Sequence, residues 1–152
     1  MSNPFSGIGS ARVYGAGQYI TPGQYELQVT EVKLVNSEKD AGRQFFCVEG
    51  TVLNANEVAF ESGGWRAGST VTWLVDMRQP SALSNCKQFA LALTPELSEN
   101  DIDESAMMGL VGPDQPAKGL KIDCDAINIK TKSGNDFTKC QWRASGTLFP
   151  NV

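Results

Sequence analysis

The chain has 152 residues, of which 41% are hydrophobic and 20% are charged, and its net charge is −4. This length and composition are those of a single globular domain, which excludes a disordered chain, and the 15 glycines favour strands joined by turns over long helices. The sequence has no histidine and no CxxC pair, so the commonest general base of hydrolases and the usual zinc-binding patterns are absent.

The N-terminal part of the chain predicts an arm followed by a long strand. Residues 1–23 contain five glycines among serine, proline and aromatic residues and show no sustained hydrophobic period, which predicts an irregular arm. Apolar residues then alternate over 24–35, and the phase of this alternation shifts before Val32. We expect a first strand there that bends at the shift.

A second strand is predicted over 43–54, where it would pair with the first strand as a hairpin. Gly50 interrupts this strand in the way that a bulge does. Phe45 and Phe46 must point to opposite faces because side chains alternate along a strand. Phe46 is in phase with the apolar residues that follow, so we predict Phe46 in the core and Phe45 on the outside.

The connection over 55–68 is predicted to be an open loop. It contains Trp65 and Arg66 after two glycines, a flexible setting in which we expect the tryptophan to be exposed. A third strand over 69–77 follows. Its alternation places Trp73 in phase with apolar neighbours. Trp142, later in the chain, is also in phase with apolar neighbours, so both rings are predicted to lie in the core.

After the third strand the hydrophobic period changes from two to nearly four. The apolar residues of 82–93 fall on one side of a helix, for which Ser81 is the predicted cap and after which Pro95 prevents continuation. A second and shorter helix is predicted from about Asp101 to Leu110.

The stretch over 120–144 is typical of a β-hairpin with two chemically different faces. Its turn residues lie at 131–136, where glycine and asparagine suit a short loop. The first strand changes phase, which predicts a bulge near Ala126 that turns Ile127 and Ile129 inward. The second strand alternates regularly, and its outward residues are Phe137, Lys139, Gln141 and Arg143.

Charge is segregated along the chain. The segment from Glu96 to Asp125 has eight acidic and two basic residues, a balance of −6, so the rest of the chain carries +2. The part of the predicted hairpin from Lys130 to Arg143 has one acidic residue, Asp136, and four basic residues, which are Lys130, Lys132, Lys139 and Arg143. We expect this surface to contact phosphates, because screening over about 8 Å at physiological salt makes the local charge more important than the total.

Two further groups of residues bear on chemistry. Cys47, Cys86, Cys124 and Cys140 are widely spaced and fall in predicted strands or the helix, so we predict reduced, buried thiols. Asp123 and Asp125 share a strand face, and together with Asp76 they are an alternative magnesium site of a nuclease, although the solvent face of a strand has the same pattern. With no phosphate-binding or dinucleotide motif in the chain, we expect neither a cofactor nor catalysis.

The predicted elements follow the order strand, strand, strand, helix, strand, strand, which is the order of the OB-fold, a five-stranded Greek-key barrel. The fold class is therefore predicted as all-β with one or two helices. In this order and in four stretches the chain resembles the small OB-fold single-stranded DNA-binding proteins of bacteriophages. The stretches are PGQYELQV in the first strand, GSTVTWLVDM in the third, NCKQFALAL in the helix and KSGNDFTKCQW in the closing hairpin.

The resemblance covers about Tyr19 to Ala144 and implies one domain. This domain would consist of the arm over 1–23, a barrel over 24–144 and a short tail over 145–152. The tail carries no charge, unlike the acidic tails by which many proteins of this family recruit partners.

The resemblance implies binding of single-stranded DNA without sequence specificity, in support of phage DNA replication or recombination. Proteins of this kind follow the backbone with a basic groove and stack bases on aromatic rings. The candidate residues for both contacts are Arg43, Phe45, Trp65, Arg66, Lys130, Lys132, Phe137, Lys139 and Arg143. The alternative is a virion structural or decoration protein, in which the arm and the apolar tail bind neighbouring subunits.

The expected partners of a DNA-binding protein are single-stranded DNA, replication or recombination proteins and further copies of the chain. The sequence contains no apolar run near eighteen residues and no signal-peptide pattern at its start. We therefore expect a cytoplasmic protein without membrane contact, in the host cytoplasm if the protein is viral.

Overall fold

The computed structural model describes residues 18–37, 42–130 and 136–149, the last range with side chains from Thr138 onward. It is mostly β, with one six-stranded sheet and three α-helices among these residues. The strands are β1 (Gln18–Tyr19), β2 (Gly23–Asn36), β3 (Gln44–Ala55), β4 (Thr70–Asp76), β5 (Lys121–Lys130) and β6 (Asp136–Ala144). The helices are α1 (Glu57–Gly63), α2 (Ala82–Leu93) and α3 (Glu104–Leu110), with a 3-10 turn at Glu99–Asp101 before α3. None of these helices is both long enough and apolar enough to cross a membrane.

The strands lie in the order β1-β4-β3-β2-β5-β6. The pairs among β2 to β6 are antiparallel, whereas β1 runs parallel to β4. The predicted arm is therefore not wholly irregular, because Gln18 and Tyr19 pair with Val71 and Thr72 along the edge of β4. Within the described ranges no ladder joins β4 to β6, so the sheet is open.

Strand β2 bends where the sequence predicts a change of phase. Val29 pairs with Gly50 and Glu31 pairs with Glu49, which leaves Thr30 as the extra residue of a bulge. The irregularity predicted at Gly50 is present in the pairing, but the extra residue lies on β2 opposite Gly50 and not on β3. Gly50 also lets two backbones approach, since a Cβ there would lie 3.1 Å from the carbonyl oxygen of Gln28.

The core lies on the concave side of the sheet and is centred on aromatic rings. Trp73 of β4 and Trp142 of β6 have ring centroids 4.9 Å apart although three strands separate them in the sheet. Phe89 of α2 lies 5.0 Å from Trp142 and 5.9 Å from Phe46 of β3. The sheet is therefore strongly curled, and α2 fills its open side. The predicted core positions of Phe46, Trp73 and Trp142 are confirmed.

The closing hairpin is more regular than its sequence suggests. Its register runs without a shift from Ile122 opposite Ala144 to Lys130 opposite Asp136, so the predicted bulge near Ala126 is wrong. Ile127 and Ile129 keep the parity of the outward residues, and Ile129 is 36% exposed. The reason is that β2 pairs with β5 no further than Ala126. Beyond that point the hairpin has two strands and no core toward which these residues could turn.

Two of the three helices lie where the sequence predicts them, although each differs from the prediction in its start or its cap. Helix α2 matches its prediction, but the Ser81 side chain makes no capping hydrogen bond. Helix α3 lies inside the predicted second helical segment. Helix α1 occupies a connection predicted as open loop. Asn56 caps it by accepting a 3.0 Å hydrogen bond from the backbone of Ala59, and Gly64 ends it in the left-handed conformation.

The four cysteines are free and buried, as predicted. Burial raises the pKa of Cys47 to about 12 and that of Cys86 to about 11. Burial also raises the pKa of Cys124 well above its ordinary value, an effect to which the neighbouring Cys140 adds. Thiols with such values remain protonated near neutral pH, so they are poor nucleophiles and act as small apolar side chains.

Candidate nucleic-acid interface

The free end of the β5–β6 hairpin presents basic side chains to solvent. Gly23, the first residue of β2, pairs with Ala126, so the hairpin residues beyond Ala126 extend past the start of β2. Lys130 and Lys139 are exposed on this projecting part. The predicted contact Lys132 and the side chain of the predicted stacking residue Phe137 lie outside the described part of the chain.

Arg143 is exposed as predicted, but it lies further from the hairpin tip and next to a carboxylate. Its register partner on β5 is Asp123, which is fully buried. One oxygen of Asp123, Oδ2, accepts a 2.7 Å hydrogen bond from the backbone N–H of Leu148, which holds the segment after β6 against the sheet. The negative charge of Asp123 offsets part of the field of Arg143. We therefore expect Arg143 to contribute less to phosphate binding than Lys139, whose register partner is the uncharged Ile127.

Arg43 and Phe45 form a pair at the other end of the sheet. The guanidinium carbon of Arg43 lies 4.8 Å from the ring centroid of the half-buried Phe45. An Nη of Arg43 lies 2.8 Å from Oδ2 of Asp76. A hydrogen bond from the backbone of Arg78, together with the guanidinium of Arg43, lowers the pKa of Asp76 and keeps this carboxyl charged. The structure thus holds Arg43 over the ring and pairs its charge with Asp76, which also lies 3.6 Å from Arg78.

A second cation on the outward face of β2 and β3 is also paired with carboxylates. The ammonium of Lys33 lies 2.5 Å from a carboxylate oxygen of Glu31 and 3.5 Å from one of Glu49. Although burial acts against it, the hydrogen bond to Glu31 and the charge of Glu49 raise the pKa of Lys33. This face therefore supplies an aromatic ring and paired charges, whereas the hairpin supplies exposed lysines.

The expectation of an exposed Trp65 is wrong. Trp65 is 3% exposed, and its indole N–H donates a 2.6 Å hydrogen bond to Oγ1 of Thr21. Its ring packs edge-to-face on Tyr25 with 6.0 Å between centroids. Both partners precede it by forty residues or more, so neither is visible in the local pattern. Trp65 is a core residue and has no face free to stack a base.

Trp65→Phe is expected to reduce the free energy of unfolding, because it removes the indole donor to Thr21. The lost hydrogen bond should account for roughly 0.5–1.5 kcal/mol, with a smaller term from the reduced ring. Urea unfolding followed by circular dichroism measures the change. Unchanged stability would contradict the burial of this ring.

The ring that is exposed in this region is Phe60, which sequence analysis missed. It lies on α1 with 53% of its surface exposed, and the guanidinium of the exposed Arg66 lies 5.7 Å from its centroid. The one signal for helix α1 in the sequence is Asn56, a preferred helix cap residue at the start of the connection. Periodicity gave no help, because α1 has seven residues and buries only Ala59.

The candidate residues fall into two groups at opposite ends of the sheet. Arg43 and Phe45 lie at the start of β3, and Arg66 follows α1, which begins just after the end of β3. From Phe45 to Asn54 the strand covers about 30 Å at roughly 3.3 Å per residue. Lys130 and Lys139 belong to the second group, because the hairpin projects past the start of β2 and Tyr25 there pairs with Ala55 at the end of β3.

The carboxylates of the alternative magnesium site are not brought together. Asp76 pairs with Arg43, whereas Asp123 binds the backbone of the segment after β6. Across the described ranges no three His, Cys, Asp or Glu side chains form a group that could hold a metal ion.

Comparison with known proteins does not assign the chain to a family. No protein-family model matches the sequence, and no curated protein matches it significantly.

Proposed function

We propose that this chain binds single-stranded DNA without base preference, in support of phage DNA replication or recombination in the host cytoplasm. The observation that carries the proposal is the strand order β4-β3-β2-β5-β6 with α2 between β4 and β5. In the order β5-β2-β3-β4 a fourth strand returns beside the first, which is the Greek-key arrangement. We infer that these five strands form an OB-like barrel that is open between β4 and β6, where Trp73 and Trp142 are in contact.

An OB-fold binds oligonucleotides on the face of its second and third strands and with the loops between strands one and two and between strands four and five. In this chain the corresponding strands are β3 and β4, and the corresponding loops follow β2 and β5. The pair of Arg43 and Phe45 lies beside the first loop, and Lys130 and Lys139 lie close to the second. The position of these four residues beside the two loops supports the proposal.

The expected result is that the protein binds fluorescently labelled oligothymidylate and that unlabelled single strands displace it far better than duplex of the same length. The reason is that stacking requires exposed base faces, which a duplex hides. Fluorescence anisotropy with unlabelled competitors measures the preference, and oligodeoxycytidylate should compete about as well as oligothymidylate.

Equal competition by single strands and duplex would exclude base stacking. If neither form binds at moderate salt, the proposed function fails and a virion structural role becomes the better explanation for a β-rich chain with a glycine-rich arm.

A further inference from the structure

An open groove of about 420 Å³ lies between helix α1 and the end of β3. Its lining includes Leu53, Phe60, Trp65 and Arg66, so an apolar floor, an exposed ring and a guanidinium meet in one place. Phe60 is among the most exposed large hydrophobic residues in the described part of the chain. An exposed ring beside a cation is an arrangement that binds a base and a phosphate together.

The Phe60–Arg66 pair differs from the Arg43–Phe45 pair in the charge that remains available. Arg43 lies 2.8 Å from the carboxylate of Asp76, whereas no carboxylate of the described residues forms an ion pair with Arg66. Phe60 is also exposed, whereas Phe45 is half-buried. Of these two stacked pairs, Phe60–Arg66 is therefore the one with both a free positive charge and an accessible ring.

The groove is preorganised on both sides of its buried floor. Gly64 donates a 2.7 Å hydrogen bond to the carbonyl of Phe60 and ends the helix there. The carbonyl of Arg66 accepts a 3.0 Å hydrogen bond from Ser69. Between them Trp65 is fixed by its hydrogen bond to Thr21. The backbone that carries Phe60 and Arg66 therefore needs no further ordering when a ligand binds, and only the two side chains lose conformational entropy.

The groove lies at the same end of the sheet as the basic tip of the hairpin. Helix α1 packs directly on the first residue of β2, since a Cβ on Gly23 would fall 2.5 Å from Ala59. Gly23 is also where β5 loses its pairing with β2 and the hairpin begins to project. A single strand bound by Lys130 and Lys139 therefore has a second contact available at this end.

We propose that Phe60 and Arg66 form a second nucleotide contact for the same single strand, in which Phe60 stacks a base and Arg66 binds the adjoining phosphate. This inference rests on the proposed function, because it takes single-stranded DNA as the ligand. Glu57 lines the groove one turn before Phe60. Its carboxylate repels a phosphate there, so the phosphate lies on the Arg66 side.

The test is a titration of labelled oligothymidylate at several salt concentrations with the parent and four variants. Phe60→Ala should weaken binding by about 5- to 150-fold and leave the salt dependence unchanged, because stacking releases no counterions. Phe60→Trp should retain parental affinity. Arg66→Ala should flatten the slope of log K against log[salt] by about 0.7. The matched control is Val58→Ala, because Val58 is 51% exposed on the same helix but does not line the groove.

The outcomes separate this inference from the function on which it rests. If the parent binds no oligonucleotide, the proposed function itself fails. If the parent binds and Phe60→Ala behaves like Val58→Ala, the groove is not a nucleotide contact while the proposed function stands. Both Phe60 and Arg66 are exposed, so their variants should unfold at the parental temperature, which a thermal scan checks.

Discussion

Trp142→Ala is expected to lower the free energy of unfolding by about 3–5 kcal/mol, the largest stability effect that we predict for a single substitution. Trp142 is 2% exposed and contacts both Trp73 of the opposite strand and Phe89 of α2. The substitution removes the side chain that joins the two sides of the curled sheet. Guanidinium unfolding followed by circular dichroism measures the loss.

Trp142→Phe is the matched control for this prediction. The indole N–H of Trp142 is buried and has no hydrogen-bond partner among the described residues. A phenylalanine therefore loses ring area but no hydrogen bond, and we expect a loss of less than about 1.5 kcal/mol. If Trp142→Ala were as mild as Trp142→Phe, contact between β4 and β6 would not stabilise the fold.

Replacing Lys130 and Lys139 together by alanine is expected to flatten the slope of log K against log[salt] by about 1.4, or about 0.7 for each lost phosphate contact on a single strand. Both lysines are exposed on the projecting end of the hairpin. Binding at low salt should weaken as well, because fewer counterions are released. Titrations of labelled oligothymidylate between about 50 and 200 mM salt give the slope.

Lys118→Ala is the control for the hairpin lysines. Lys118 is exposed and precedes β5, so it lies near the end of the hairpin opposite to Lys130. The two positions are separated by roughly 30 Å of strand at about 3.3 Å per residue. Loss of Lys118 should leave the slope nearly as in the parent. Should the double variant bind like Lys118→Ala while remaining folded, the hairpin is not the binding surface, and the single strand is bound elsewhere on the protein.

The two DNA-binding experiments also differ in what they measure. The lysine variants change the salt dependence and hence count phosphate contacts, whereas Phe60→Ala changes affinity at constant salt dependence. Because the hairpin and the groove lie at one end of the sheet, a strand that uses both should show additive losses when the variants are combined. Additivity is expected for separate contacts without shared partners.

Much of the fold was predictable because the responsible signals are local. Alternation places β2, β3, β4 and β6 within one or two residues of their observed bounds, and the change of period locates α2. The bend of β2 was visible too, since a bulge moves apolar residues from one parity to the other before Val32. Part of the site was predictable for the same reason. The alternation of β6 puts Lys139 and Arg143 outside and Trp142 inside, as the structure has them.

The features of the fold and the site that could not be predicted depend on neighbours distant in the sequence. The burial of Trp65 requires Thr21 and Tyr25, which pack against it only after β2 and α1 have met. The outward position of Ile129 follows from where β2 ends beside β5, a property of the neighbouring strand and not of Ile129 itself. The paired charge of Arg43 results from Asp76, which arrives on β4 thirty-three residues later.

The sequence by itself therefore determined which residues carry charge and which strands carry a core face, because both are properties of residue type and spacing. Only the tertiary structure decided which of those charges are free and which aromatic rings are exposed. Arg66 has no carboxylate partner in the described part of the chain and Arg43 has one, although both stand beside aromatic residues in the sequence. Phe60 is exposed and Trp65 is buried because α1 packs one side against β2, and that packing creates the groove between them.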